Sequence, residues 1–271
     1  MPELPEVETT KAGISPHVVG REVSSLNVYQ SSLRWPVPTD MAENFVGQTI
    51  QSLTRRGKYL ILSTSVGGAL VHLGMSGSLR ICKEAETRRK HDHWDMVFDS
   101  DCVLRYHDPR RFGAFLWAGS DPWQHALLVN LGPEPIEEDF TADYIYQLSR
   151  GKKQVVKTFL MSSQTVVGVG NIYASESLYR AGIHPNRSAG KVSRKRYLAL
   201  VIAVKEVLAE AIESGGSTLR DYVNGSGSPG YFQQQLLVYG RAGKECKNCS
   251  TSIRQIRIGQ RSSFYCPSCQ H

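Results

Sequence analysis

The sequence predicts an α+β chain of several domains: a short N-terminal helix, a strand-rich half, a helical region and a small cysteine-organised tail. Three observations carry that reading. Short apolar segments with turn signals between them run from about residue 17 to 120, apolar residues recur at helical spacing beyond about 150, and four of the six cysteines cluster at the C-terminus. A length of 271 residues leaves room for two ordinary domains, or one with appendages. The hydrophobic content of 41% is on the low side but supports real cores.

Residues 2–15 read as the first helix, with Leu4, Val7 and Ile14 on its apolar side and Gly13, Ser15 and Pro16 closing it. Tyr59-Leu-Ile-Leu-Ser-Thr, the turn Gly67-Gly68 and Ala69-Leu-Val-His-Leu read as a hairpin. His93-Trp-Asp-Met-Val-Phe and Cys102-Val-Leu-Arg-Tyr flank a turn at 99–101, and Phe112-Gly-Ala-Phe-Leu-Trp adds a further strand. Many short strands with regular turns predict a β-sandwich or barrel-like domain. Cys82 and Cys102, isolated in strand-like segments, read as small hydrophobes.

Residues 119–150, with Asp121-Pro122 and Leu131-Gly-Pro-Glu-Pro135, read as a connection. Helices are expected over 153–163 and 171–181, the second closed by Gly182. Between them Gln164-Thr-Val-Val-Gly-Val-Gly170 is too long and too glycine-rich for a simple helix–turn–helix. A long helix over 191–213 carries Val201, Val204, Leu208, Ala211 and Ile212. Asn224-Gly-Ser-Gly-Ser-Pro-Gly230 is either a linker or a mobile loop over a site.

The net charge of +7 suggests an anionic partner, nucleic acid being the commonest. The charged opening lacks the apolar stretch of a signal peptide, and the most apolar helical run, 197–212, is broken by Lys205 and Glu206. A cytosolic or nucleoid-associated protein with free or metal-bound thiols is therefore expected, with no membrane contact.

Cys246-x-x-Cys249 and Cys266-x-x-Cys269, sixteen residues apart, match a four-thiolate structural zinc site. Four thiolates close the tetrahedron and leave no position for substrate, so one structural Zn²⁺ is expected, stabilising a segment with few large apolar residues. Arg241, Lys244, Lys247, Arg254, Arg257 and Arg261 are opposed there only by Glu245, a charge pattern suited to a phosphate backbone or simply to solvent.

The opening Met1-Pro2-Glu3-Leu4-Pro5-Glu6-Val7 admits two readings. As a helix start, it places prolines and carboxylates where the dipole favours them. As chemistry, removal of Met1 would expose the secondary amine of Pro2. A terminal α-amine has a reference pKa of about 7.7–8.0, so part of it is unprotonated near neutrality and able to condense with an aldehyde-like carbon. Glu3 and Glu6, three apart on one helical face, would then be proton carriers.

Several segments together resemble one family over the whole chain. They are Pro2-Glu3-Leu4-Pro5-Glu6-Val7-Glu8-Thr9, His72-Leu-Gly-Met-Ser-Gly77, Asp108-Pro-Arg-Arg-Phe-Gly113, Val167-Gly-Val-Gly-Asn-Ile-Tyr-Ala-Ser-Glu176, Tyr239-Gly-Arg-x-Gly243 and the terminal cysteines. Their order and spacing resemble bacterial formamidopyrimidine-DNA glycosylase, an 8-oxoguanine glycosylase and AP lyase. The resemblance implies an N-terminal helix and two-layer β-sandwich over 1–132, a helix-two-turns-helix DNA-binding domain with a lesion loop over 133–237, and a zinc β-hairpin ribbon over 238–271. It implies a monomer acting on double-stranded DNA with oxidised bases and using no organic cofactor.

Carried over by position, Pro2 resembles the nucleophile that attacks the sugar C1′, and Glu3 the proton shuttle. Lys58 resembles the β-elimination residue and Arg261 the δ-elimination residue. A guanidinium hardly ever gives up a proton, so Arg261 suits phosphate clamping better than acid catalysis. Met75, Arg110 and Phe112 resemble a wedge that fills the gap left by an extruded nucleotide, although by pattern alone Met75 and Phe112 are ordinary strand residues. His72, His91, Lys152 and Asn171 resemble DNA contacts; unaided, His72 reads as a satisfied strand histidine. Glu6 with Ser217, Leu219, Arg220, Asp221 and Tyr222 resembles the lesion pocket.

Two other readings share part of the pattern. An endonuclease VIII-like enzyme for oxidised pyrimidines has the same proline, helical domain and ribbon, but Leu4, the Arg110/Phe112 pair and the long loop favour the purine enzyme. A non-catalytic zinc-ribbon DNA binder would leave Pro2, Glu3 and Lys58 without a purpose.

Overall fold

Leu4 to Val18 form helix α1, which begins two residues later and ends three residues later than the sequence predicts. Pro16 sits inside it: a proline near a helix end removes one hydrogen bond only, and Val18, fully buried, holds the last turn on the core. Eight strands follow, β1 (Val23–Val28), β2 (Ser52–Arg56), β3 (Tyr59–Ser63), β4 (Gly68–His72), β5 (Ser78–Cys82), β6 (Asp92–Phe98), β7 (Cys102–His107) and β8 (Ala114–Trp117), with the short helix α2 (Met41–Phe45) after β1. The expected β3–β4 hairpin is present with Tyr59 opposite His72. The strands build two antiparallel sheets, β1-β6-β7-β5 and β2-β3-β4-β8. Between them Trp94 stacks on Phe115 at 4.4 Å and on Tyr106 at 5.4 Å. Cys82 and Cys102 are buried, as small hydrophobes should be.

The computed structural model describes residues 1–98, 101–216 and 235–271. These fall into two compact units, one of residues 1–130 with 214–216, the other of 131–213 with 235–271. Among the described residues no helix is long and apolar enough to cross a membrane.

The outer face of the β1-β6-β7-β5 sheet carries buried ion pairs beside a small apolar cluster of Cys82, Val97 and Val103. Arg105 grips Asp95 with two bonds of 2.7 and 2.8 Å, and Arg80 grips Asp92 with bonds of 3.0 and 2.7 Å. Burial alone would raise the pKa of Asp92, but Arg80, the Arg89 N–H and His107 outweigh it and bring the value to about 2. A carboxylate held below its unfolded value stabilises the fold above pH ~4 and loses that contribution as the pH falls towards 2, on the order of 2 kcal/mol. Acid titration followed by Trp fluorescence should show this loss; Asp92→Asn should be less stable at neutral pH and lose less between pH 4 and 2.

In the second unit, the expected connection contains a helix, α3 (Ala142–Ser149), capped by Thr141, whose hydroxyl accepts from Tyr144 N–H. The prolines at 133 and 135 hide it only if the segment is read as one piece. Helix α4 is confined to Val156–Leu160, shorter than expected, because the backbone of 152–155 is committed to residues 188–190. Two turns then lead to α5 (Asn171–Arg180), with Gly168 in the left-handed region at φ +78°. Gly132 N–H donates to Ser163 O, and a Cβ on Gly132 would stand 2.7 Å from Gln164 O, so the glycine lets this segment back onto the turns. Helix α6 spans Arg194–Glu213, after a 3₁₀ turn at Ala189–Lys191. The chain ends in the hairpin of β9 (Arg254–Ile258) and β10 (Arg261–Tyr265).

Candidate functional site

The N-terminal segment is rigid for a local reason. Glu3 is the N-cap of α1, and the Glu6 carboxylate accepts from Glu3 N–H at 2.7 Å in a capping box with the Glu3 side chain on the Glu6 backbone. Pro2, Glu3 and Glu6 are all buried. One turn on, Glu8 accepts from Arg55 Nε at 2.7 Å, and Arg55 also donates to Gly57 O at 3.0 Å. That chain of contacts fixes the β2–β3 turn, which carries the half-buried Lys58, against the start of α1. A Cβ on Gly216 would stand 3.3 Å from the Glu6 side chain, so the chain leading to residue 217 passes Glu6.

His72 ends β4. Burial above all, then the charges of Lys58 and Arg34, lower its pKa to about 4, with Asp108 opposing. Its Nδ1 accepts from Gly74 N–H at 2.9 Å, so the neutral ring carries its proton on Nε2 as a donor. Met75 and Phe112 are 38% and 46% exposed on turns, which settles the pattern-level alternative: neither is core. The exposed Arg110 lies over the Phe112 ring at 5.1 Å. Met1, Arg34, His72, Gly74, Met75 and Phe112 line one cavity of about 330 Å³. His91, just before β6, has its ring 5.9 Å from that of His107 and 6.5 Å from that of His93.

The second unit holds the remaining positions. Asn171 opens α5 and donates to Ser262 O at 3.1 Å, which ties the helix to the hairpin strand bearing the exposed Arg261. Lys152 is exposed on the turn after α3. Ser217, Leu219, Arg220, Asp221 and Tyr222 lie outside the described residues.

The sulfurs of Cys246, Cys249, Cys266 and Cys269 lie within 4.8 Å of one another. Zn–S bonds of about 2.3 Å give tetrahedral edges of about 3.8 Å, and the separations of 3.4 and 3.9 Å recorded between sulfurs bracket that value. Tyr179 OH at 3.1 Å from Cys246 Sγ and Asn248 Nδ2 at 3.4 Å from Cys269 Sγ would steady the ligands from outside. The donor set fits one structural zinc.

Comparison with known proteins agrees with this geometry along the chain. Residues 1–115 match the family described as formamidopyrimidine-DNA glycosylase N-terminal domain, 131–223 the formamidopyrimidine-DNA glycosylase H2TH domain, and 243–271 the zinc finger found in FPG and IleRS. The formamidopyrimidine-DNA glycosylase of Methylococcus capsulatus is 54% identical over 270 residues, covering all of both chains, and that of Stutzerimonas stutzeri is 55% identical over the same span. The chain belongs to the formamidopyrimidine-DNA glycosylase family. Among solved structures, a Lactococcus lactis FPG mutant bound to DNA containing Fapy-dG superposes with a TM-score of 0.92 at 34% identity, covering all of both chains. A MutM complex with DNA containing carbocyclic 8-oxo-G gives 0.91 at 34% identity, also over all of both chains.

Within this family frame, sequence reasoning missed three residues. Arg34 lines the cavity next to His72, but a lone arginine in a loop gives no signal. Lys157 is 1% exposed, with Nζ donating to Ser263 Oγ at 2.7 Å, beside Arg261 in a cavity of about 260 Å³. A lysine between apolar Val156 and Phe159 in a predicted helix was the available clue. Glu176 accepts from the N–H groups of Leu237, Val238 and Tyr239 at 2.8–3.0 Å, which joins the α5 motif to the Tyr239-Gly-Arg motif.

Proposed function

We propose that this chain is a bifunctional base-excision enzyme that removes oxidised purines, 8-oxoguanine and formamidopyrimidines, from duplex DNA and then cleaves the strand. The observation that carries this reading is a cavity lined by Met1, directly ahead of Pro2, together with the exposed Met75 and Phe112. A covalent attack on C1′ needs an extruded nucleotide, and extrusion needs something in its place. Removal of Met1 frees the Pro2 amine. Pro2 attacks C1′ and the glycosidic bond breaks as the base leaves; the C1′–O4′ bond of the sugar then opens, with Glu3 delivering the proton to O4′, to leave an iminium on C1′. The resulting iminium acidifies the C2′ proton, whose loss with Lys58 nearby expels the 3′ phosphate, and Arg261 clamps phosphate through the second elimination.

Met75, Arg110 and Phe112 enter the duplex, and His72, His91, Lys152 and Asn171 contact the DNA, Asn171 at a phosphate. Glu6 with residues 217–222 forms the lesion pocket. Residues 1–132 form the catalytic domain, 133–237 the helical DNA-binding domain and 238–271 the zinc finger. The enzyme works as a monomer in the cytoplasm, on the nucleoid.

Excision of 8-oxoguanine opposite cytosine should exceed excision of thymine glycol, and borohydride should trap a protein–DNA adduct on the purine lesion. Preference for thymine glycol would make the chain a pyrimidine enzyme, and the absence of any adduct would make it a binder only.

A further inference from the structure

Both turns that carry the exposed Met75, Arg110 and Phe112 are crossings between the two sheets. The first leaves β4 in one sheet and enters β5 in the other; the second leaves β7 and returns to β8. The crossings spring from paired strands, with His72 opposite Ala114 and Ser78 opposite His107, but the ladders stop at those roots and do not set the spacing of the residues between them. A buried carboxylate supplies it.

Asp108 is fully buried at the root of the second crossing. Its Oδ1 accepts from Ser76 Oγ at 2.7 Å, on the first crossing, and from Arg110 N–H at 3.2 Å. Its Oδ2 accepts from Gly113 N–H at 2.9 Å and from Tyr106 OH at 3.1 Å. Burial first, then the Asp108 charge, pushes the Tyr106 phenol well above its ordinary pKa, so it stays a donor. The backbone is anchored too, with Asp108 N–H on His91 O at 3.0 Å and its carbonyl 2.6 Å from His93 Nε2.

Glycines let the two crossings meet around this point. A Cβ on Gly74, which has φ +67°, would stand 2.4 Å from the Phe112 carbonyl carbon, and one on Gly113 would stand 1.7 Å from Tyr106 OH. One side chain thus bonds the residue after Met75, the backbone of Arg110 and the residue after Phe112.

We infer that Asp108 is the positioning residue of the wedge, holding Met75 on one crossing and Arg110 and Phe112 on the other in a fixed register so that they enter the duplex as one body. The inference rests on the function proposed above. Pre-ordering matters because side chains ordered only on binding spend interaction energy on their own immobilisation. Asparagine keeps the volume of Asp108 but turns an amide donor towards one of its two pairs of donors, so that the N–H of Arg110 or of Gly113 loses its acceptor and the wedge-bearing crossing loses part of its hold.

The test compares wild type with Asp108→Asn on 8-oxoguanine in intact duplex and on the same lesion in a pre-opened site, opposite a one-nucleotide gap, with 2-aminopurine beside the lesion to report unstacking. Excision from intact duplex should fall about 10- to 100-fold, the size of effect that small misplacements produce. The 2-aminopurine signal should fall with it, and the pre-opened substrate should restore the rate towards wild type. Equal losses on both substrates would overturn the positioning role. If Asp108→Asn does not fold, Ser76→Ala and Tyr106→Phe each remove one bond and should give the same split between substrates at smaller amplitude; no split in either would also overturn it. Failure of the wild-type protein to excise 8-oxoguanine at all would instead sink the proposed function.

Discussion

Leaving Met1 ahead of Pro2 will abolish both base excision and borohydride trapping, and Pro2→Gly will reduce trapping severely. The two changes act on the same atom by different routes. A retained methionine turns the proline nitrogen into an amide, whose lone pair is delocalised and cannot attack C1′. Glycine keeps a terminal amine but gives up the ring that fixes φ and the secondary amine that forms the iminium. The surrounding structure makes the position demanding: Pro2 and Glu3 are buried, and the capping box fixes the backbone at Glu3. Glu3→Gln should lower excision by about 10²- to 10⁴-fold, the usual range for a positioned proton carrier, while leaving DNA binding in place. Mass spectrometry of the N-terminus and single-turnover excision would check all three variants. Full trapping by a protein shown to retain Met1 would remove Pro2 as the nucleophile.

The parts of this fold legible in the sequence are those whose causes are local. The β3–β4 hairpin follows from two short apolar runs either side of Gly67-Gly68, the opening of α5 at Asn171 follows from the glycine turn before it, and the cysteine spacing leads directly to a tetrahedral donor set. Where the cause is distant the sequence is silent or misleading. Helix α4 is cut short because residues 152–155 bond to 188–190, which no window around residue 155 can reveal. Met75 and Phe112 have the composition of strand core, and only the crossing between sheets exposes them. Arg55 and Glu8 meet across 47 residues, and Ser76 and Asp108 across 32. Motif resemblance singled out the proposed catalytic and wedge positions, but the residues that hold them in place had to come from the contacts.

Removing zinc, by chelation or by Cys249→Ser, should unfold the C-terminal ribbon and abolish DNA binding while the β-sandwich keeps its near-UV signal. The ribbon's own apolar core is small: Val238, Ile253 and Phe264 with two of the cysteines, edged by Tyr179 and Tyr239. Against it stands a structural zinc contribution of about 10–16 kcal/mol in comparable small domains, far more than those few side chains supply. The loss reaches beyond the four ligands. Arg261 and the carbonyl of Ser262, which Asn171 grips, both lie on β10, so melting the hairpin parts Arg261 from Asn171, two of the groups proposed to meet the DNA. Glu176 would still hold the backbone of 237–239 to α5, which sets the boundary of unfolding just beyond those residues. Trp94, Tyr106 and Phe115 form their stack in the other unit and owe nothing to the metal. Metal analysis should give one zinc per chain, and hydrogen exchange after chelation should lose protection over 254–265 while the β6 and β7 amides keep theirs. If the chelated protein binds DNA as tightly as before, the ribbon is not part of the interface and its basic face serves solubility alone.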